Sequence, residues 1–224
     1  KINQLILSQD AGASFTLVRE GLLSRRPRKN TMWEEGYPKA IALDPKYPST
    51  IYLGIDGNDG GGLYISNDSG WHWKYSKRQP ASRRIYNALA VDPTNSNRLF
   101  WGAYGRKGGV YISEDKGATW RCAFRQTTTI FDLAVNAEGW IYVAGDFSGP
   151  AVFVSRDHGM SWLLLKSFPA EGSAEALFIN PYHPEEIGLS VVNWGGSTGG
   201  KIYWSRDKGQ NWQDITGDLP AGNG

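Results

Sequence analysis

An all-β fold built from repeated four-stranded units is what this sequence predicts, and three observations predict it. A Ser-x-Asp-x-Gly-x-x-aromatic pattern recurs five times along the chain. Each copy lies between two short runs of β-branched, aliphatic and aromatic residues, the signature of paired strands. No stretch sustains the apolar period of a helix. Composition agrees, since 10 Trp, 11 Tyr and 8 Phe favour packed, pleated strands, while 28 Gly and 11 Pro supply turns.

The five copies are Ser8, Asp10, Gly12 with Phe15; Ser66, Asp68, Gly70 with Trp73; Ser113, Asp115, Gly117 with Trp120; Ser155, Asp157, Gly159 with Trp162; and Ser205, Asp207, Gly209 with Trp212. Ser and Asp side chains bond turn N–H groups, Gly takes a positive φ without strain, and the last ring folds over the turn. Each copy therefore predicts a hairpin turn. The strand ahead of it reads Gly62-Leu63-Tyr64-Ile65, Gly109-Val110-Tyr111-Ile112, Ala151-Val152-Phe153-Val154 or Lys201-Ile202-Tyr203-Trp204. Two further strands precede each hairpin. The first ends at Asp44-Pro45, Asp92-Pro93, Asn136-Ala137 or Asn180-Pro181, and Asx-Pro starts a turn. Four strands in about 45 residues make the blade of a β-propeller.

Complete units are expected at about 36–78, 84–126, 129–168 and 174–217, with a half unit at 2–19, all within one propeller segment, 1–224. Only seven residues follow 217, too few for the two strands that would complete the half unit. The chain also starts at Lys1 with neither an initiating Met nor a signal-peptide pattern. A processed or partial chain is therefore expected, its missing blades coming from the same longer chain or from another chain.

The pattern resembles the Asp-box, or bacterial neuraminidase repeat, of sialidases, family 74 glycoside hydrolases (xyloglucanases), sortilin-type Vps10 domains and photosystem assembly factors of the Ycf48 kind. A box in every unit, preceded by Gly-[Leu/Val]-Tyr-Ile-Ser and an upstream Asp-Pro turn, is more similar to the xyloglucanase and sortilin groups. That resemblance implies an Asp-box β-propeller of four complete blades plus a half blade, an arc of a seven-bladed propeller. It leaves two functions open. One is an extracellular scaffold or binding module, placed in a secreted, cell-surface or periplasmic setting. The other is a glycoside hydrolase of the xyloglucanase type whose catalytic carboxylates lie mostly outside this segment. The sialidase reading lacks its Arg-Ile-Pro motif, because Arg84-Ile85-Tyr86 does not match it.

Other classes find little support. A formal net charge of +2 does not call for a nucleic-acid partner. The longest apolar runs are too short to span a membrane. Cys122 is the single cysteine, and with three scattered His it suggests no metal cage, disulfide or cofactor. His72 and His158 fall inside boxes and His183 in a Pro-rich turn, so no Ser/His/Asp triad is drawn.

The boxes are expected to be structural, their side chains spent on the turn; the sequon at Asn67-Asp68-Ser69 lies inside one and is discounted. Function is expected on the opposite face, in the loops 56–61, 104–108, 146–150 and 193–197. There Asp59, Tyr104, Arg106, Phe147 and Trp194 are the ligand-binding candidates, rings to stack on a sugar or peptide and charged groups to hydrogen-bond it. The plainer alternative is an ordinary solvated loop. Arg25, Arg26, Arg28 and Lys29, then Lys77, Arg78, Arg83 and Arg84, then Arg106, Lys107 and Arg125 converge on that face. They form either a field for an anionic polysaccharide or acidic protein, or a solvated charge cluster. Glycosidases need two carboxylates, and Asp56, Asp59, Asp132 and Asp146 are the candidates. Asp59-Gly60-Gly61 resembles the Asp-x-Gly-Gly surroundings of xyloglucanase catalytic aspartates, but the fuller motif is absent, so no catalytic residue is assigned.

Overall fold

The computed structural model describes residues 5–18, 22, 36–57, 61–125, 129–168, 172–193 and 199–218. Every regular element in them is a strand. A hairpin comes first, β1 (Leu5–Leu7) with β2 (Thr16–Val18). The first four-stranded sheet holds β3 (Tyr37–Leu43), β4 (Ile51–Asp56), β5 (Gly62–Ser66) and β6 (Lys74–Tyr75). The second holds β7 (Ile85–Asp92), β8 (Asn95–Ala103), β9 (Gly109–Ser113) and β10 (Arg121–Phe124). The third holds β11 (Thr129–Val135), β12 (Ile141–Asp146), β13 (Pro150–Ser155) and β14 (Leu163–Ser167). The fourth holds β15 (Ser173–Ile179), β16 (Ile187–Val192), β17 (Lys201–Ser205) and β18 (Gln213–Asp214). Strands pair antiparallel in chain order within each sheet, which is the propeller blade.

Successive sheets meet at their first strands: β3 packs on β7, β7 on β11 and β11 on β15. The first strands therefore form the inner wall, and the fourth strands the rim. Each first strand carries a register shift near its start, between Pro38 and Ala40, Ile85 and Leu89, Ile130 and Asp132, and Ala174 and Ala176. A bulge adds an unpaired residue and re-aims its neighbours, here at the end away from the Ser-x-Asp-x-Gly turns.

The core lies between sheets. Ala40, Tyr52 and Leu63 of the first sheet meet Ile85, Trp101 and Tyr111 of the second. Phe100, Val110 and Ile112 of the second meet Ile130, Leu133 and Val143 of the third. Tyr142, Val152 and Val154 of the third meet Leu177, Ile187 and Leu189 of the fourth. Strand alternation makes this possible, since residues two apart share a face.

The five Ser-x-Asp-x-Gly segments all turn from the third strand of a sheet, or from β1, into the next strand. In each, the Ser Oγ accepts the Gly N–H at 2.7–2.9 Å. The Asp Oδ1 accepts the N–H four residues on at 2.7–3.0 Å. Those bonds hold the aspartates low: hydrogen bonds from Ser14 bring Asp10 to about 2, and Asp68, Asp115, Asp157 and Asp207 are lowered in the same way. One detail goes beyond the sequence expectation: the residue before each Gly also has positive φ, at Ala11, Ser69, Lys116, His158 and Lys208. The Trp73 indole N–H donates to Gly70 O at 2.9 Å, inside the turn.

Candidate functional site

Antiparallel pairing puts the β4–β5, β8–β9 and β12–β13 loops at the strand ends opposite those turns, beside the segments that link one sheet to the next. Backbone and side-chain bonds lock the two sets together. Ser82 Oγ donates to Tyr104 O at 3.1 Å, Tyr104 N–H to Arg84 O at 3.1 Å, and the buried Trp101 indole N–H to Ser82 O at 3.1 Å.

Asp56, the last residue of β4, organises this end. Its Oδ1 accepts from Arg84 Nε at 2.9 Å and from the Ile85 N–H at 3.2 Å; its Oδ2 accepts the Tyr104 hydroxyl at 2.9 Å. The same hydroxyl accepts from Arg84 Nε at 3.0 Å and from Arg84 Nη2. Burial, aided by the Asp56 acceptor, pushes Tyr104 up to about 12. Burial works against the Arg84 charge, but the bonds to Asp56 and Tyr104 outweigh it and leave the guanidinium raised. Arg84 is thus a permanent cation tied across the first two sheets.

From there aromatic rings continue across the inner wall. The Arg84 guanidinium lies 4.6 Å from the Tyr104 ring centroid. Tyr104 stacks on Tyr86 at 4.4 Å and 28°. Tyr86 meets Phe131 at 4.8 Å and 36°. Tyr86 and Phe131 stand at the bulges of β7 and β11 and are half-buried. Exposed Asn87 adjoins them.

Directly after Phe131 comes Asp132, 4% exposed. Its Oδ1 accepts from Asn87 Nδ2 at 3.1 Å and from its neighbour Leu133 N–H at 2.8 Å, and its Oδ2 accepts the Leu177 N–H at 2.8 Å. One carboxylate therefore fastens the second, third and fourth sheets. Burial raises it from 3.8 to about 6, against those three donors. The corresponding positions of the other sheets hold Ala40, Ala88 and Ala176.

The sequence candidates divide as follows. Tyr104 joins the Asp56–Arg84 pair and keeps a half-exposed ring. Arg106 stands exposed on the same loop, on a turn closed by Gly108 N–H to Gly105 O at 2.8 Å. Phe147 turns inward, 4.7 Å from Phe153 and 6.0 Å from Phe124, against the core between the second and third sheets. Asp59, Trp194 and the run Arg25, Arg26, Arg28 and Lys29 lie outside the described residues. Lys77, Arg78, Lys107 and Arg125 are exposed and Arg83 half-buried. Asp146 accepts the Gly149 N–H at 2.9 Å and holds its own turn. Among the carboxylates, then, Asp56 is paired with Arg84, Asp132 is sealed between sheets and Asp146 is in a turn. Among the described residues no group of His, Cys, Asp and Glu stands together as a metal site. Sequence reasoning missed Tyr86 and Phe131. Both lie inside bulges: β7 fits Tyr86, Asn87 and Ala88 between its paired residues Ile85 and Leu89, and β11 fits Phe131 between Ile130 and Asp132, so strict alternation along the first strands does not single them out.

The chain matches no protein-family model and no curated protein. Solved structures do resemble it. An ancestral GH74 enzyme superposes with a TM-score of 0.66 at 17% identity, covering 99% of this chain and 30% of that one. A chain of a nidogen/laminin complex gives 0.63 at 14%, covering 86% and 73%. YCF48 bound to a peptide gives 0.56 at 13%, covering 98% and 78%. The GH74 enzyme of Niastella koreensis gives 0.50 at 17%, and this chain spans 38% of its length. At these identities the likeness concerns the fold: the chain is a segment of β-propeller. Among the described residues no helix is long and apolar enough to cross a membrane.

Proposed function

We propose that the protein is an extracellular propeller module of the Asp-box kind that binds a polysaccharide or protein ligand on the face opposite its Ser-x-Asp-x-Gly turns. The observation that carries this is the run Arg84–Tyr104–Tyr86–Phe131 at the bulged inner strand ends. Sugar C–H faces and peptide side chains pack on such rings, and Arg83 and Arg106 supply hydrogen-bond donors beside them. Asp59 and Trp194, candidates from the sequence, are proposed as further members of this face. The structures of YCF48 with a peptide and of a nidogen/laminin complex support a binding role for such propellers. The enzyme reading, a glycoside hydrolase of the xyloglucanase type, has the GH74 likenesses in its favour. It places its catalytic carboxylates mostly outside this segment, in keeping with Asp56 and Asp132 being committed to Arg84 and to backbone donors.

A panel of neutral and anionic polysaccharides and of acidic and basic peptides, titrated by calorimetry, tests the reading. Tyr86→Ala and Trp194→Ala are each expected to weaken binding by about 10-fold, the scale of losing one stacked ring. Binding that survives both substitutions unchanged would remove the site from this face. Release of reducing ends from a bound polysaccharide would favour the hydrolase.

A further inference from the structure

We propose that Asp132 is a positioning residue of the ligand face: through Asn87 it fixes the spacing of Tyr86 and Phe131, so that the affinity of the face follows whether Asp132 carries a proton. The inference rests on the ligand-binding reading of that face and names how it is regulated.

The two rings come from different sheets. Tyr86 belongs to β7 and Phe131 to β11, which share no strand ladder. Both stand in bulges, where regular pairing is interrupted and side chains are re-aimed. The rings nevertheless meet at 4.8 Å. The residue after each ring supplies a fastening: Asn87 follows Tyr86, Asp132 follows Phe131, and Asn87 Nδ2 donates to Asp132 Oδ1 at 3.1 Å. This bond ties the two bulges together directly beside the rings. Its outer end reaches water at exposed Asn87, while its inner end, Asp132, is 4% exposed. The inner end is held in turn by the Leu133 N–H on Oδ1 and the Leu177 N–H on Oδ2, both at 2.8 Å.

The blade itself does not call for a carboxylate at this position. Ala40, Ala88 and Ala176 occupy it in the other three sheets, which form the same four strands. What the carboxylate adds is the link to Asn87. Hydrogen bonds to an ionised acceptor are about twice as strong as those to a neutral one. The ionised form therefore holds Asn87, and with it the two rings, more firmly, and protonation loosens the link. Rings already held lose less freedom when a ligand packs on them, so the ordered face binds more tightly. Burial raises Asp132 to about 6, which puts the change within reach of mild acid. Affinity is expected to fall as pH drops through that value, and linkage requires the converse, that a bound ligand lowers the Asp132 pKa.

The groups that face Asp132 are Asn87 from β7 and the Leu133 and Leu177 N–H groups from β11 and β15, and no charge contributes to its raised value. The titratable side chains at this end of the strands packed on β11 are Tyr86 of β7, Asp146 of β12 and Glu175 of β15. Histidines as a class also titrate near this pH. His72 and His158 stand in the Ser-x-Asp-x-Gly turns and His183 in the β15–β16 turn, all at the opposite end.

Magnetic resonance of the chain with ring-labelled tyrosine and carboxyl-labelled aspartate tests the link without a ligand. The Tyr86 signal is assigned by its loss in Tyr86→Phe and the Asp132 signal by its loss in Asp132→Asn. Between pH 4.5 and 7.5 the Tyr86 signal is expected to move with the Asp132 signal in the wild type and to stay flat in Asp132→Asn. In Asn87→Ala, Asp132 keeps its two backbone donors and still titrates, but Tyr86 no longer follows it. A Tyr86 signal that is flat in the wild type, or that moves equally in Asp132→Asn or in Asn87→Ala, overturns the proposal. Calorimetry with the panel of polysaccharides and peptides then compares wild type and Asn87→Ala at each pH, so that the ligand's own ionisation cancels. The wild type is expected to bind about 3-fold or more tightly than the variant at pH 7.5, the scale of ordering one side chain, and to lose that advantage at pH 4.5. An advantage that is equal at both pH values also overturns the proposal. The two readings fail separately. Tyr86 following Asp132 with no panel member bound at either pH defeats the ligand-binding reading alone, and a bound ligand with Tyr86 blind to Asp132 defeats this one alone.

Discussion

Asp132 shows how one residue departs from its repeat. Where the other sheets place alanine, this one buries a carboxylate and surrounds it with two backbone N–H groups and an amide. Three good donors do not offset the loss of water, so its pKa stands at about 6, not 3.8. A folded-state value above the unfolded one means that the folded protein holds the proton more tightly. The stabilisation is full below pH 3.8 and is lost as pH rises through about 6, a change of about 3 kcal/mol. The turn aspartates act in the opposite sense at lower pH: their values are depressed, so their contribution fades as pH falls below 3.8. Asp132→Asn keeps the shape but cannot ionise. Urea unfolding at pH 4.5 and pH 7 is therefore expected to show the wild type losing stability relative to the variant at the higher pH. An unchanged difference between the two proteins would show that Asp132 titrates normally.

At the scale of the element, the turn is one device used five times with unequal stakes. Ser and Asp bond it alike everywhere, but what lies beyond its glycine changes. A Cβ on Gly159, at φ +81°, would come within 2.2 Å of the buried Ile112 side chain, whereas on Gly12, at φ +91°, its nearest neighbour is 3.9 Å away. Gly12→Ala is expected to cost about 1 kcal/mol, the strain of a left-handed alanine. Gly159→Ala adds the overpacking of Ile112 and is expected to cost about 2–4 kcal/mol. Chemical denaturation of both variants checks the order, and equal losses would show that backbone strain alone sets the requirement.

For the whole molecule, the fold was legible because the repeat states it: Ser, Asp, Gly and an aromatic ring at fixed offsets fix a turn, and a turn every few tens of residues fixes four-stranded sheets. What the sequence did not disclose depends on residues far apart along it. Arg84 meets Asp56 only once two sheets stand side by side; Phe147 looks like a loop-tip ring until Phe124 and Phe153 draw it inward; Tyr86 and Phe131 reach the candidate face through bulges that alternation alone does not predict. The same side-by-side construction determines how stability is distributed. In a linear array each sheet draws its support from its neighbours. The second and third sheets are packed on both faces. Among the described residues the hairpin packs through Leu5, Leu7 and Val18, and the fourth sheet ends in the exposed pair of β18. Local opening is cheapest where few buried contacts must be broken. Amide hydrogen exchange is expected to find the slowest amides in β8, β9 and β12 and much faster ones in β1, β2 and β18. Protection that is uniform from β1 to β18 would mean that the sheets open as one unit and that the nearest-neighbour picture is wrong for this chain.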